Sequence, residues 1–210
     1  MCIRDRFLDT DSILFENIKN CIGTPVEGWK ELYVGIDWGS GAGGDYTSMC
    51  GINEKGQMVF IDYFNDKSTF EQAKYIKDVL DRYRGKVRKV QAESNSIGAP
   101  MIELLKKTLE GVGMVDVSRR VTPFTTTNAE KVRLVNALQV ALEQSQITLL
   151  DDKGLITQLS AYEAQYNPKT NNVSYNAPQG MHDDNCISTM LAWDAYQSTM
   201  RFGKYNISIR

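Results

Sequence analysis

Four carboxylates in this chain have the residue types and settings to act together. Asp37 closes one apolar run, Glu93 closes another, and the pair Asp183-Asp184 opens a third stretch far along the sequence. Like charges gathered in a cleft repel, so such a group persists only if it holds protons or a cation. All-oxygen donors suit hard ions, Mg²⁺ or Mn²⁺. Two such ions about 4 Å apart form the clamp that activates water and steadies the leaving oxygen in phosphodiester hydrolysis. Taken singly, each acid has a plainer reading. Asp37 before a Gly-rich turn is turn chemistry, Glu93 is a solvated loop acid, and Asp183 and Asp184 are a helix cap and a first-turn acid. Asp45 merely begins a strand. The case for chemistry rests on bringing them to one place.

The elements that must do so follow from hydropathic periodicity. Leu32–Asp37 reads as a buried strand, Gly39–Gly44 as a flexible turn, and Tyr46–Asn53 and Gln57–Phe64 as two more strands joined by a turn at Glu54-Lys55-Gly56. Ser68 caps a helix to about Arg84, with Phe70, Ala73, Ile76, Val79 and Leu80 on its inner face and Glu71 completing a capping box. Lys86–Glu93 is a fourth strand, Ser96–Leu109 a helix, and Val115–Phe124 a fifth strand. Asn128 caps a long helix that buries Val132, Val135, Leu138, Val140 and Leu142. A short strand at Ile147–Leu150, a helix near Leu155–Ala164, a hairpin at Asn167–Ala177 and a last helix from His182 to about Thr199 complete the chain. Three antiparallel strands are thus followed by helix, strand, helix, strand, helix: an α/β fold with a mixed five-stranded sheet and helices on both faces. Right-handed crossovers return the fourth strand beside the first. Their carboxyl ends, bearing Asp37 and Glu93, then share the sheet edge where open α/β folds gather their ligands.

The 210 residues suit one domain with an appendage, and 42% hydrophobic composition with ten tyrosines excludes global disorder. No run reaches the length of a membrane span, so no membrane partner is expected. Cys2, Cys21, Cys50 and Cys186 form no CxxC pair and follow no signal peptide, which predicts reduced thiols, no zinc knuckle and a cytoplasmic protein. The net charge of −2 hides a segregation. From Lys67 to Arg133 there are 14 Lys and Arg against 8 Asp and Glu, leaving that stretch at +6 and the remainder at −8. Residues 1–30 read as a linker, with Met1–Arg6 resembling a translated sequencing adapter and the protein expected to extend upstream; the domain proper is expected to occupy residues 31–210.

Gly35-Ile36-Asp37-Trp38-Gly39, Gly44-Asp45-Tyr46-Thr47-Ser48, Gln91-Ala92-Glu93-Ser94-Asn95 with Ile97-Gly98, and Gly180-Met181-His182-Asp183-Asp184 together resemble the nuclease domain of the large terminase subunit of tailed bacteriophages. The resemblance spans residues 31 to about 200, and Asn128–Arg133 is similar to the Lys/Arg-bearing helix start of that family. It implies a ribonuclease H-like fold and a metal-dependent endonuclease that cuts concatemeric double-stranded viral DNA during packaging in the host cytoplasm. Asp37 would bridge two Mg²⁺ or Mn²⁺ ions, Glu93 would ligate one, and Asp183 or Asp184 the other, with Asp45 as an auxiliary acid. His182, the sole histidine, would shuttle a proton or touch DNA; a structural role at a helix start is the plainer alternative. Lys131 and Arg133, with Lys86, Arg88, Lys89, Arg119 and Arg120, supply the positive charge for phosphates. Implied partners are an ATPase motor domain, the small terminase subunit and the portal. No GxxxxGK[ST] phosphate loop occurs, so the chain reads as the cutting part without the motor.

Alternatives at this level are another ribonuclease H-like nuclease of the resolvase or transposase type, and a non-catalytic DNA- or portal-binding module. The first strand and its turn also resemble the phosphate loop of actin-like and sugar-kinase ATPases. Those enzymes need two such domains, which 210 residues do not hold.

Overall fold

The computed structural model describes residues 4–6, 13–41, 43–167 and 172–205. Asp9, Asp11, Cys2, Ala42 and the tip of the hairpin at 168–171 lie outside them. The elements run β1 (Arg4–Arg6), α1 (Ile13–Cys21), β2 (Leu32–Asp37), β3 (Thr47–Asn53), β4 (Met58–Phe64), α2 (Thr69–Arg82), β5 (Val87–Glu93), α3 (Gly98–Gly111), α4 (Val115–Ser118), β6 (Val121–Phe124), α5 (Asn128–Glu143), α6 (Lys153–Ala161), β7 (Glu163–Asn167), β8 (Asn172–Asn176) and α7 (Asp184–Tyr205).

The main sheet has the order β4-β3-β2-β5-β6. β2, β3 and β4 are antiparallel neighbours, while β5 lies parallel to β2 and β6 parallel to β5. This is the crossover the sequence predicts. Every residue of β2 and β3 is buried, because helices cover both faces. One face packs Ile76, Leu80, Met101 and Leu105 of α2 and α3 against Val34, Ile36 and Val90. The other packs Leu134, Leu138, Met190 and Leu191 of α5 and α7 against Cys50 and Ile52. Gly35 permits the closest of these contacts: a Cβ there would stand 2.0 Å from the Ser188 carbonyl oxygen of α7.

Several elements differ from expectation. The fifth strand is only Val121–Phe124; Val115–Ser118 forms a helical turn instead, since burial there falls on Met114, Val117 and Val121 and does not alternate. Phe70 is 64% exposed, and the inner face at that end of α2 is taken by Gln72, which accepts a hydrogen bond from Thr47 Oγ1 at 2.7 Å. In α5, Val140 is exposed and Val132 half-buried, because the stripe facing the core is Leu134, Val135, Leu138, Ala141 and Leu142. Thr127 caps that helix, accepting from the Glu130 amide, and Asn128 donates across to the Val173 carbonyl at 3.0 Å. The 147–150 stretch makes isolated bridges only, Thr148 with Gln57 and Leu149 with Ile22. α6 stops at Ala161, and the chain re-enters as the β7–β8 ladder, onto which β1 adds antiparallel.

Packing continues across the boundary expected at residue 31. Ile18 and Cys21 of α1 are buried in the α5–α7 core, and the Gly23 amide donates to the Leu149 carbonyl at 2.9 Å. Cys21, Cys50 and Cys186 are buried free thiols. Among the described residues no helix is long and apolar enough to cross a membrane.

Candidate functional site

Asp37 is the last residue of β2 and Glu93 the last of β5, so the parallel pairing sets them side by side at one sheet edge. α7 runs back along the same sheet and starts there with Asp184, while Asp183 immediately precedes it and accepts the Ile187 amide through its carbonyl at 3.0 Å. Three chain segments thus deliver the four acids to one place. Behind them Ser48, opposite Asp37 in β3, donates to Asn185 Oδ1 at 2.7 Å and lies 2.8 Å from Ser188 Oγ, locking α7 to the sheet in register.

The electrostatics of the cluster are those of carboxylates short of positive charge. Asp37 is 7% exposed, and burial pushes its pKa well above the ordinary carboxylate range. A hydrogen-bonding contact with Glu93 and the charges of Glu93, Asp184 and Asp183 push it further. Asp184 is 8% exposed, and its Oδ2 is buried with no hydrogen-bond partner. Burial, then the Asp183 charge, lifts its pKa to about 6, with His182 opposing the rise. His182 Nδ1 stands 3.6 Å from that Oδ2. Asp45 is exposed but near enough for its charge to act on Asp184. Asp183 is more open and faces Lys131, whose Nζ is 3.4 Å from Oδ2 and donates also to Asn176 Oδ1 at 3.2 Å.

The donor set is all oxygen and carries an unpartnered buried carboxylate oxygen, which suits a hard divalent cation. Among the described residues no three Asp, Glu, His or Cys side chains are arranged around a common point as ligands. The chemistry of the donor set fits the cation.

The other positive residues are elsewhere. Arg133 turns to α7: its Nη1 donates to Asp194 Oδ1 at 2.6 Å and its Nε to Glu130 Oε2 at 2.7 Å, while Gln91 donates to the other Asp194 oxygen at 2.8 Å. Lys89 donates to Ser198 Oγ at 3.0 Å. Lys86 and Arg88 start β5 and Arg119 and Arg120 precede β6, with Arg120 donating to the Val87 carbonyl. That is the opposite end of parallel strands, and the length of β5, at about 3.3 Å per residue, separates it from Glu93 by about 20 Å. Of the positive residues proposed from sequence, Lys131 alone among the described residues is shown against the acids.

Sequence reasoning missed Tyr162, which is fully buried beside the cluster; burial and then the charge of Asp183 drive its pKa up, and Lys131 Nζ sits 5.8 Å from its ring centre. It also missed the tie through Asn185 and Ser188. A signal existed: Asn185, Ser188 and Thr189 are fully buried polar residues on an otherwise apolar helix face.

The profile of the terminase RNaseH-like domain family matches residues 34–195, well over half of the chain. The chain belongs to that family. The fold agrees. The large terminase nuclease from thermophilic phage G20c superposes with a TM-score of 0.70 at 20% identity, covering 87% of this chain and 98% of that one. The nuclease domain of the Thermus phage P74-26 large terminase gives 0.68 at 20% identity, over 89% and 96%. The HK97 bacteriophage large terminase gives 0.67 at 12% identity, with this chain matching 44% of its length. The G20c nuclease has been solved with bound magnesium and with bound cobalt. No curated protein sequence matches the chain. The terminase family thus has here a large-subunit nuclease domain of mixed α/β, ribonuclease H-like fold, with the four acids inside the matched segment.

Proposed function

We propose that this chain is a divalent-metal-dependent endonuclease that cuts concatemeric double-stranded viral DNA for packaging. The observation that supports it best is the convergence of Asp37, Glu93 and Asp183-Asp184 on one sheet edge, with a buried carboxylate oxygen lacking any partner, in a terminase-family fold. Asp37 and Glu93 would hold the metal from the sheet, and Asp184 from α7, since Asp184 is buried toward Asp37 while Asp183 is drawn to Lys131. Bound there, Mg²⁺ or Mn²⁺, two ions by the family resemblance, would supply the positive charge that activates water and offsets the negative charge developing at the phosphate.

The chain's own residues do the rest. Lys131 steers a phosphate toward the acids and pairs with Asp183 at the rim. His182, half-exposed and 3.6 Å from Asp184, is placed to pass a proton from the cleft to solvent. Asp45 adds negative charge at the mouth. The buried ring of Tyr162 lowers the local dielectric and strengthens each of these interactions. In the packaging cell this part would work in the host cytoplasm beside an ATPase motor, the small terminase subunit and the portal, with residues 1–30 leading from the motor.

Supercoiled plasmid with Mn²⁺ or Mg²⁺ tests the reading. Nicking and linearisation that stop with EDTA are expected; a folded domain that binds Mn²⁺ calorimetrically or not at all, and never cuts, would leave a DNA- or portal-binding module in its place.

A further inference from the structure

Beside the acids lies a cleft that the cleavage chemistry leaves unused. It has a volume of about 440 Å³ and is bounded by β4, the first turns of α6 and the Gly180–His182 segment, a size typical of small-ligand sites. Its walls include Tyr63, Lys153, Thr157, Gln158, Met181 and His182, and no carboxylate lines it. Tyr63 and Met181 are 38% and 41% exposed, two large apolar side chains left to solvent in one cleft.

Rings connect this cleft to the acids. Tyr63 meets Tyr46 edge-on at 5.8 Å, Tyr46 meets His182 edge-on at 5.0 Å, and His182 borders Asp184. Gly154 makes room for Tyr63: a Cβ there would stand 2.5 Å from the Tyr63 hydroxyl oxygen, so the ring lies close over the start of α6. Gln158 accepts the Asn185 amide through Oε1 at 2.8 Å, which leaves its N–H₂ as the donor it can offer. An accessible aromatic face packed edge-on against Tyr46, an adaptable Met, one amide donor and one lysine make a platform for a nucleobase with its phosphate, tolerant of sequence.

We propose that this cleft binds an unpaired nucleobase of the DNA strand whose phosphate lies at the carboxylates, stacked on Tyr63. The inference rests on the nuclease reading and adds to it that the substrate strand is locally unstacked when engaged. Bases inside a duplex present no free face, so the cleft discriminates frayed or bubbled DNA from fully paired DNA. A strand is favoured over a free nucleotide because His182 is shared with the acid cluster, and because Lys153 is the one lysine or arginine among the lining residues, too little for a polyphosphate.

The experiment is a titration of the full chain, in EDTA, with oligonucleotides carrying 2-aminopurine in a single strand, in a bubble and in a perfect duplex. Quenching is expected for the first two only. Tyr63→Ala should abolish the quench and weaken single-strand binding about fivefold or more, while Tyr63→Phe keeps both. On bubbled substrate with Mn²⁺, Tyr63→Ala should raise KM and spare kcat. Met181→Glu, at an exposed position, serves as the second variant should Tyr63→Ala not fold. Equal affinity of wild type and both variants, or equal quenching by duplex, overturns the proposal. Competition by dAMP at micromolar concentration would assign the cleft to a free nucleotide and overturn it too. Quenching without cleavage would sink the nuclease reading and leave a base-binding cleft; cleavage without quenching would do the reverse.

Discussion

Asp184 and Asp194 sit ten residues apart on α7, both largely buried, and they are opposites. Asp194 receives hydrogen bonds from Arg133 and Gln91, and these hold its pKa below the ordinary carboxylate value despite burial. Asp184 has an orphaned oxygen and like-charged neighbours, and its pKa rises to about 6. Residue type and burial are therefore poor guides to role. The neighbours decide: Asp194 has its counter-charges within hydrogen-bonding distance, whereas Asp184 has like-charged neighbours and only His182 at 3.6 Å to oppose them.

The sharpest break of that contrast is Asp37→Asn. Metal-dependent cleavage should fall to background, while the metal-free domain melts at a higher temperature because a buried repulsion is relieved; a variant that unfolds instead would give Asp37 a structural role. Next in size, Asp194→Ala should cost about 1–3 kcal/mol, read as a lower urea midpoint, because Arg133 and Gln91 lose a buried partner; the half-exposed Arg133 keeps it from the larger cost of a fully buried pair. Cleavage per folded molecule should be unchanged, and its loss would place Asp194 in the site.

Acid titration separates the two aspartates by sign. A folded pKa near 6 against an ordinary 3.8 means that Asp184 keeps a proton the unfolded chain has released, so metal-free stability should decline as pH rises from about 4 through 6. Asp194 acts in reverse: its contribution is present above about 4 and is lost as pH falls through its depressed value. Thermal melts should therefore peak between the two, and Mg²⁺ at neutral pH should recover what Asp184 loses. A profile flat from pH 4 to 7 would contradict the crowded-acid picture. The smallest effect expected is on salt dependence. Lys131→Ala should lower the slope of log Kd against log salt for duplex DNA by about 1, with Arg119→Ala, at the far end of the sheet, leaving it unchanged.

Much of the scaffold was readable in advance because alternation and capping are local signals. The Ser68–Glu71 capping box forms as its sequence suggests, and right-handed crossovers fix the order of the five strands. The acids' convergence followed from that order alone. What escaped depended on tertiary partners. Val115–Ser118 has strand-like composition but spacing that suits a turn of helix, and Phe70 lost its inner place to Gln72, which has hydrogen-bonding duties to Thr47. The positive stretch was visible as a total, yet its placement was not: Arg133 is spent on Asp194, and Arg119 and Arg120 lie at the opposite sheet end. The proposed preference for Asp184 over Asp183 rests on the Lys131–Asp183 contact, made across 52 residues of sequence, which no local pattern encodes.

The contact at Gly35 has a further consequence. Backbone meets backbone there, two residues before Asp37 and one helical turn after Asp184, so the spacing of the acids is gauged by main-chain atoms and is insensitive to the rotamers around it. A single methyl at position 35 would lift α7 off the strand and widen that gauge while leaving every carboxylate in place. Such a variant would keep its full complement of acids and still hold them at the wrong separation for the proposed cation.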